Sequence, residues 1–478
     1  MDAANRRSLM SRRSWLLGAS ATLGGALLTA CAGQAPPAAP KATPVSAPAT
    51  SAAAPVAAQP TAAPKPAAAA PAQAKETALR WSMWAATQPE IDAWQELAND
   101  VTAAHPNIKV ALETVAFSDY WDKLQTQLAS QTEADIVSMQ SLRMPPFAVR
   151  KALRPLQPFI DKDAGVKFDD FFKTIEDGLS YGGQVYGFAY DLGPILLYYN
   201  KDLFDTAGLA TPSPTEPMTW QQVREAATKL TKADVSQYGY TIQPNFDASV
   251  PWLWSGGGDY MNTEETQCTL DSADSVAALE FAVGMFTKDK IAPPVTDLAN
   301  ANLAREQFYS GKIAMYADGP WNIINVRKNA KFNWDIAPFP AGKAGSVTWV
   351  AGSGFGISNT TKYPEESWQA LKVITSGESL QKLAKAGRAY PARQSTVGAF
   401  KSPDLPPKNV DVVEKILTQQ AGKTRFYRTT TTWQETVLML NRDYNPVFTG
   451  QQSVQDTVAN VKPKFDELLK KHQELARR

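Results

Sequence analysis

Four tryptophans and five short polar side chains are the residues of this chain best suited to hold a small polar molecule. Trp84 follows an apolar run, Trp252 and Trp254 precede Gly256-Gly257-Gly258, and Trp321 follows Gly319-Pro320, so all four read as loop-placed. An indole offers a flat apolar plane and one N–H donor. Such a plane packs on the C–H face of a sugar ring, while donors and acceptors around the rim meet the hydroxyls. Asp119, Gln140, Asp191, Asp259 and Asp318 lie in loops or near strand ends and supply that rim. Each has a plainer reading, since a loop Asp is commonly a turn or cap residue. Trp94, Trp220 and Trp368 fall at helical spacing or helix starts and read as packing residues.

Other chemistries find little material. His105 and His472 are the only histidines, His105 stands before Pro106, and neither lies beside a Ser or Cys motif, so nucleophilic catalysis is not indicated. Two histidines and the cysteines Cys31 and Cys268 do not make a His/Cys metal site, and no cofactor is expected. A pair of carboxylates acting in glycoside hydrolysis stays open, because their separation across a fold is not written in the sequence.

The elements that position these residues alternate between strand and helix. Leu79–Trp84 reads as a strand, and Thr87 with Glu90 forms a capping-box pattern ahead of Ile91, Trp94, Leu97 and Val101 at helical spacing. Ile108–Val115 reads as a second strand, Trp121, Leu124 and Leu128 as the apolar side of a second helix, and Asp135–Met139 as a third strand. This βαβαβ order predicts a mostly parallel sheet covered by helices. Thr219-Trp220-Gln221-Gln222 is another capping box, and Ser272 caps a helix carrying Val276, Leu279, Val283 and Phe286, which predicts a second α/β domain. About 400 residues from Thr77 onward exceed what one core usually serves. Open parallel sheets bind ligands at the carboxyl ends of their strands, so two facing domains predict a site in the cleft between them.

The N-terminal segment addresses the chain. Arg12-Arg13 precede an uncharged stretch from Ser14 to Ala30 that ends in Leu28-Thr29-Ala30-Cys31. A positive region, a short apolar run and small residues before a Cys read as an export signal, and the run is short of the roughly 20 residues of a spanning helix. The paired arginines resemble the twin-arginine type of signal and the last four residues a lipobox, which makes residues 1–30 a signal peptide and Cys31 the lipidation site. Residues 31–76 follow as anchor and tether, rich in Ala and Pro, with a reach of about 130 Å for 44 residues in extended geometry. A cell-wall spacer is the plainer reading of that tether. Loss of Arg6, Arg7, Arg12, Arg13 and Asp2 takes the formal charge from +1 to −2, which argues against nucleic acid as a partner.

The order of motifs is similar to that of the family 1 extracellular solute-binding proteins of bacterial ABC importers. The resemblance rests on Tyr186-Gly187-Phe188-Ala189-Tyr190-Asp191, on Leu197-Tyr198-Tyr199-Asn200-Lys201-Asp202-Leu203-Phe204 through Ala207-Gly208-Leu209, and on Pro217-Met218-Thr219-Trp220. It continues through Phe308–Tyr316, Gly319-Pro320-Trp321 and Gly352–Ser358, and it covers the chain from about Leu79 onward. The resemblance implies a two-lobed periplasmic-binding-protein-like α/β fold of type II, hinged at crossovers near Asp191–Ile195 and Pro338–Ala341. Lobe one would hold 77–192 and 340–395, and lobe two 193–339 and 396–478. It implies a monomer that carries a carbohydrate, or a glycerol phosphodiester, to a membrane permease without turning it over. It also raises the four tryptophans as ligand contacts. Gly352 would let backbone amides approach the ligand, or would serve a turn. Arg388 and Tyr390, in Gly387-Arg388-Ala389-Tyr390-Pro391-Ala392-Arg393, would border the cleft, a solvated arginine being the alternative. A secreted glycoside hydrolase and an adhesion lipoprotein are the competing classes.

Overall fold

The computed structural model describes residues 75–477 apart from 164, 167 and 420–423. The export signal, Cys31 and nearly all of the tether lie outside the described residues. Twelve strands are described: β1 (Thr77–Trp84), β2 (Ile108–Val115), β3 (Ile136–Gln140), the hairpin β4 (Ser180–Tyr181) and β5 (Gln184–Val185), β6 (Phe188–Pro194), β7 (Leu196–Asn200), β8 (Tyr238–Thr241), β9 (Ile313–Asp318), β10 (Trp334–Pro338), β11 (Thr348–Ile357) and β12 (Thr424–Phe426). They build two larger sheets.

The first sheet runs β12-β11-β3-β1-β2, with β6 also paired to β11. β1 is parallel to β2 and β3, as the βαβαβ order predicts, whereas β11 is antiparallel to β3 and β6. The second runs β10-β7-β9-β8, with only β8 and β9 parallel. The departure from parallel pairing falls on strands next to the crossovers. β6 and β7 are separated by Ile195 alone, and the chain returns to the first sheet between Pro338 and Thr348.

Helices close both faces. α1 (Gln88–Ala104) opens with the Thr87/Glu90 capping box and buries Trp94, Leu97, Ala98 and Val101, one stripe of a 3.6-residue period. α2 (Phe117–Ser130) follows β2 directly and buries Tyr120, Trp121 and Leu124. In the second lobe, Thr219 and Gln222 form the capping box of the helix Trp220–Leu230, and Ser272 caps the helix Ala273–Thr287. Side chains alternate across a strand, and β7 shows the consequence. Leu196 and Tyr198 join the core that contains Trp81, Trp94 and Phe355, while Leu197 and Tyr199 join the one that contains Trp252, Trp254 and Trp433.

In the C-terminal segment, Trp433, Leu440, Tyr444 and Phe465 pack into the second core, Phe400, Val410, Val413 and Ile416 join the core that also takes Tyr198 and Trp334, and β12 extends the first sheet beside β11. The lobes also meet directly. The Ile324 N–H donates to the Gly387 carbonyl at 2.9 Å, and Asn325 Nδ2 donates to Glu90 Oε1 at 3.2 Å.

Candidate functional site

The parallel strands β1, β2 and β3 end on one side of the first sheet, and their carboxyl ends deliver Trp84, Phe117, Gln140 and Arg143. Trp84 is buried, with its ring edge-on to Phe117 at 5.6 Å and to Tyr120 at 5.2 Å, and tilted on Trp121 at 5.5 Å. It backs the wall, and Phe117, 38% exposed, is the aromatic surface that solvent meets. The Arg143 guanidinium lies 4.5 Å over the Trp121 ring and 6.0 Å from that of Phe117, and its Nη1 donates to Gln434 Oε1 at 2.8 Å. Gln140 is half-buried at the end of β3, and Asp119 is exposed on the first turn of α2.

The second sheet answers from the carboxyl ends of β8 and β9, with Asp247 in the helix Phe246–Ser255 and with Asp318 through Trp321. Trp321 is half-buried and stacks on Trp349 of β11 at 5.8 Å and 13°. Added to Gly319, a Cβ would come within 2.1 Å of the Trp321 ring, so glycine is what lets that indole lie over its own loop. Trp349 donates its indole N–H to the Asp247 carbonyl at 3.1 Å and meets Tyr427 edge-on at 5.6 Å. The Tyr427 hydroxyl donates to Asp247 Oδ1 at 2.7 Å. Burial raises the pKa of Asp247, opposed by Tyr427 and by the positive field of Arg143.

The other expected contacts sit elsewhere or are already occupied. Trp252 is fully buried among Trp220, Tyr240, Phe281 and Phe339. Trp254 is equally buried, stacked on Tyr260, with its N–H given to Asp259 at 3.0 Å. Both belong to the helix Phe246–Ser255, not to a loop, and neither leaves a ring face for a solute. Asp259 also accepts from Arg428 at 2.9 Å and from the Tyr260 amide, so it ties that core together. Asp318 accepts from Arg305 at 2.8 Å, from the Tyr316 hydroxyl at 2.5 Å and from the Gly319 amide at 2.8 Å; it holds the Trp321 loop in place.

Gly352 stands in the middle of β11 and not in a turn. Its amide donates to Ser141 Oγ at 3.2 Å, and a Cβ there would come within 2.2 Å of the Asp191 carbonyl oxygen, so the close approach of β6 is what demands glycine. Asp191 is buried, Oδ1 has no hydrogen-bond partner, and burial raises its pKa to about 7 against the pull of Arg388 and Ser353. Arg388 is buried as well, 4.9 Å over the Trp94 ring and 4.0 Å from Glu90, which is the opposite of a solvated arginine. Tyr390 is buried edge-on to Phe400.

Sequence reasoning passed over Phe117, Arg143, Asp247, Trp349, Tyr427 and Gln434. For Phe117 and Arg143 a signal existed, because each follows a predicted strand end within four residues. The others are brought in from distant chain, and no local pattern marks them.

Residues 84–381 match the family of bacterial extracellular solute-binding proteins. The chain belongs to that family. Among solved structures, this solute-binding protein superposes on an ABC substrate-binding protein from Listeria monocytogenes in complex with cycloalternan, with a TM-score of 0.75 at 24% identity, over 82% of this chain and 99% of that one. The fold is therefore the two-lobed periplasmic-binding-protein-like α/β fold. A mannitol-binding protein of Pseudomonas aeruginosa is 28% identical over 229 residues, 47% of this chain and 51% of the relative. A sn-glycerol-3-phosphate-binding periplasmic protein of Shigella dysenteriae is 28% identical over 271 residues, 52% of this chain and 58% of the relative. Among the described residues of the solute-binding protein, no helix is long and apolar enough to cross a membrane, and no group of three or more His, Cys, Asp or Glu gathers as a metal site.

Proposed function

We propose that this protein captures a carbohydrate between its two lobes and delivers it, unchanged, to the membrane permease of an ABC importer. The observation that carries the reading is the meeting of aromatic surface and polar donors where strand carboxyl ends of both sheets converge. Phe117, Gln140, Arg143 and Trp349 come from the first sheet and its strand ends, and Trp321, stacked on Trp349, comes from the turn after β9 of the second. Trp84 supports that surface from behind, and Asp119 stands exposed on the first turn of α2 beside Phe117. A sugar placed there gains ring stacking and hydroxyl contacts from both lobes, and it favours the closed form only through its greater affinity for that form. Rotation occurs about Ile195 and the 339–347 crossover, between lobes of about 77–192 with 340–395 and 193–339 with most of 396–478.

Export by the twin-arginine route, lipidation at Cys31, tethering through residues 31–76 and monomeric action complete the proposal; they rest on the sequence alone. Thermal unfolding of the full chain against mono- and oligosaccharides, sugar alcohols, glycerol phosphodiesters and peptides tests it. A solute at 100 times its dissociation constant adds about 2.7 kcal/mol. Stabilisation by related carbohydrates that are recovered intact is the expected result. Released product would instead revive the hydrolase, and stabilisation by peptides alone would overturn the ligand class.

A further inference from the structure

Among the arginines around the lobe interface, Arg143 and Arg327 face no carboxylate, and Arg327 spends its Nε and Nη1 on the Pro406 and Lys385 carbonyls at 2.7 and 3.0 Å. Arg305 has Asp318 at 2.8 Å, Arg393 has Asp170 at 3.1 Å, Arg428 has Asp259 at 2.9 Å and Arg388 has Glu90 at 4.0 Å. Arg143 has no carboxylate within 4.0 Å among the described residues. Its one protein hydrogen bond goes to a neutral amide oxygen, that of Gln434, and its central carbon lies 4.5 Å over the Trp121 ring. The side chain keeps access to water, yet desolvation lowers its pKa to about 10. A guanidinium withdrawn from bulk water costs free energy unless an anion or a full set of acceptors meets it.

The acids nearby do not supply that anion. Asp247 is half-buried, it is not within 4.0 Å of Arg143, its Oδ1 is taken by Tyr427, and burial raises its pKa. Asp318 is consumed by Arg305, Tyr316 and Gly319, and Asp191 lies beside Arg388. Asp119 is exposed and accepts from Ser118, while Asp122 acts on Arg143 only through its field. The candidate cleft thus combines aromatic surface with one cation whose fork is largely unused. A guanidinium whose fork is free binds two oxygens of one planar or tetrahedral anion.

We propose that the captured solute carries an anionic group, a carboxylate or a phosphate, that docks on the Arg143 guanidinium beside the Phe117 surface. This deepens the carbohydrate reading above and rests on it. Two sources share the chemistry: a uronic acid unit, and a phosphorylated sugar or glycerol phosphodiester.

The test is calorimetric titration of the full chain with paired probes: galacturonate and glucuronate and their oligomers, hexose phosphates and glycerophosphocholine, each against its neutral counterpart. Binding of an acidic probe in preference to its neutral counterpart is expected, with a loss of about 10- to 100-fold in Arg143→Gln. Arg143→Lys, which keeps the charge and loses the fork, should fall between the two. Whether uronates or phosphates bind separates the two sources. Equal affinity for neutral and acidic members, or an acidic probe bound undiminished by a folded Arg143→Gln, overturns the proposal and leaves the carbohydrate reading standing. Should Arg143→Gln not fold, the Arg143→Lys ratio of acidic to neutral affinity decides in its place. No binding of any carbohydrate, neutral or acidic, removes this proposal together with the reading beneath it.

Discussion

Two pairs of tryptophans occupy the second lobe and its border, and the fold treats them oppositely. Trp252 and Trp254, on one helix, are entirely enclosed by aromatic neighbours. Trp321 and Trp349 come from different sheets, stack on each other, and leave Trp321 half-open to solvent. All four have a glycine within four residues along the chain, so glycine does not tell a platform from a core residue. What differs is the element. A ten-residue helix with a buried face encloses its tryptophans, whereas the turn after the carboxyl end of β9 presents one.

That contrast can be broken by substitution. Trp252→Ala should lose about 3–5 kcal/mol of folding stability through the cavity it leaves, read by urea titration, while the folded fraction keeps its affinity for solute. The acids extend the same contrast. Asp318 has its oxygens occupied, while Asp191 is buried with one oxygen free. Because the folded pKa of Asp191 is raised to about 7 from an unfolded value of about 3.9, the folded state holds the extra proton between those limits. Its stabilising contribution is therefore complete below about pH 4 and is lost as the pH rises through 7. Asp191→Asn should flatten that part of the stability–pH curve; an unchanged slope in urea melts would place the proton elsewhere.

Smaller effects sharpen the comparison. Trp321→Ala should cost about 1–2 kcal/mol of solute binding, roughly tenfold in dissociation constant, and little stability. A Trp321→Ala protein that binds as tightly as the parent would take the stacked pair out of the site. Trp254→Phe keeps a ring against Tyr260 but deletes the N–H to Asp259 and leaves part of the indole's space empty, so a stability loss of about 1–2 kcal/mol with unchanged binding is expected from a melt and a titration.

Much of the architecture was legible. Both capping boxes and the first three strands formed where alternation and spacing put them, because those signals act over a few residues. The candidate site was legible in part. Gln140 ends β3 and Trp321 sits in the turn after β9, but Trp84 is screened by Phe117, and Asp318 serves Arg305 and the loop rather than the open surface. The clearest miss was Arg143. It follows β3, so topology pointed to it, yet nothing in its neighbours along the chain says that no acid would pair with it.

The sequence by itself determined the export address, the alternation of strand and helix, and the family, because each is written in local runs and ordered motifs. Only the tertiary structure decided which aromatic rings are enclosed and which are offered, which acids are spent on arginines, and which arginines, Arg143 among them, are left without one. Those outcomes depend on pairs far apart in the chain, Trp321 with Trp349 and Arg143 with Gln434, and their distances are set by how the two sheets pack.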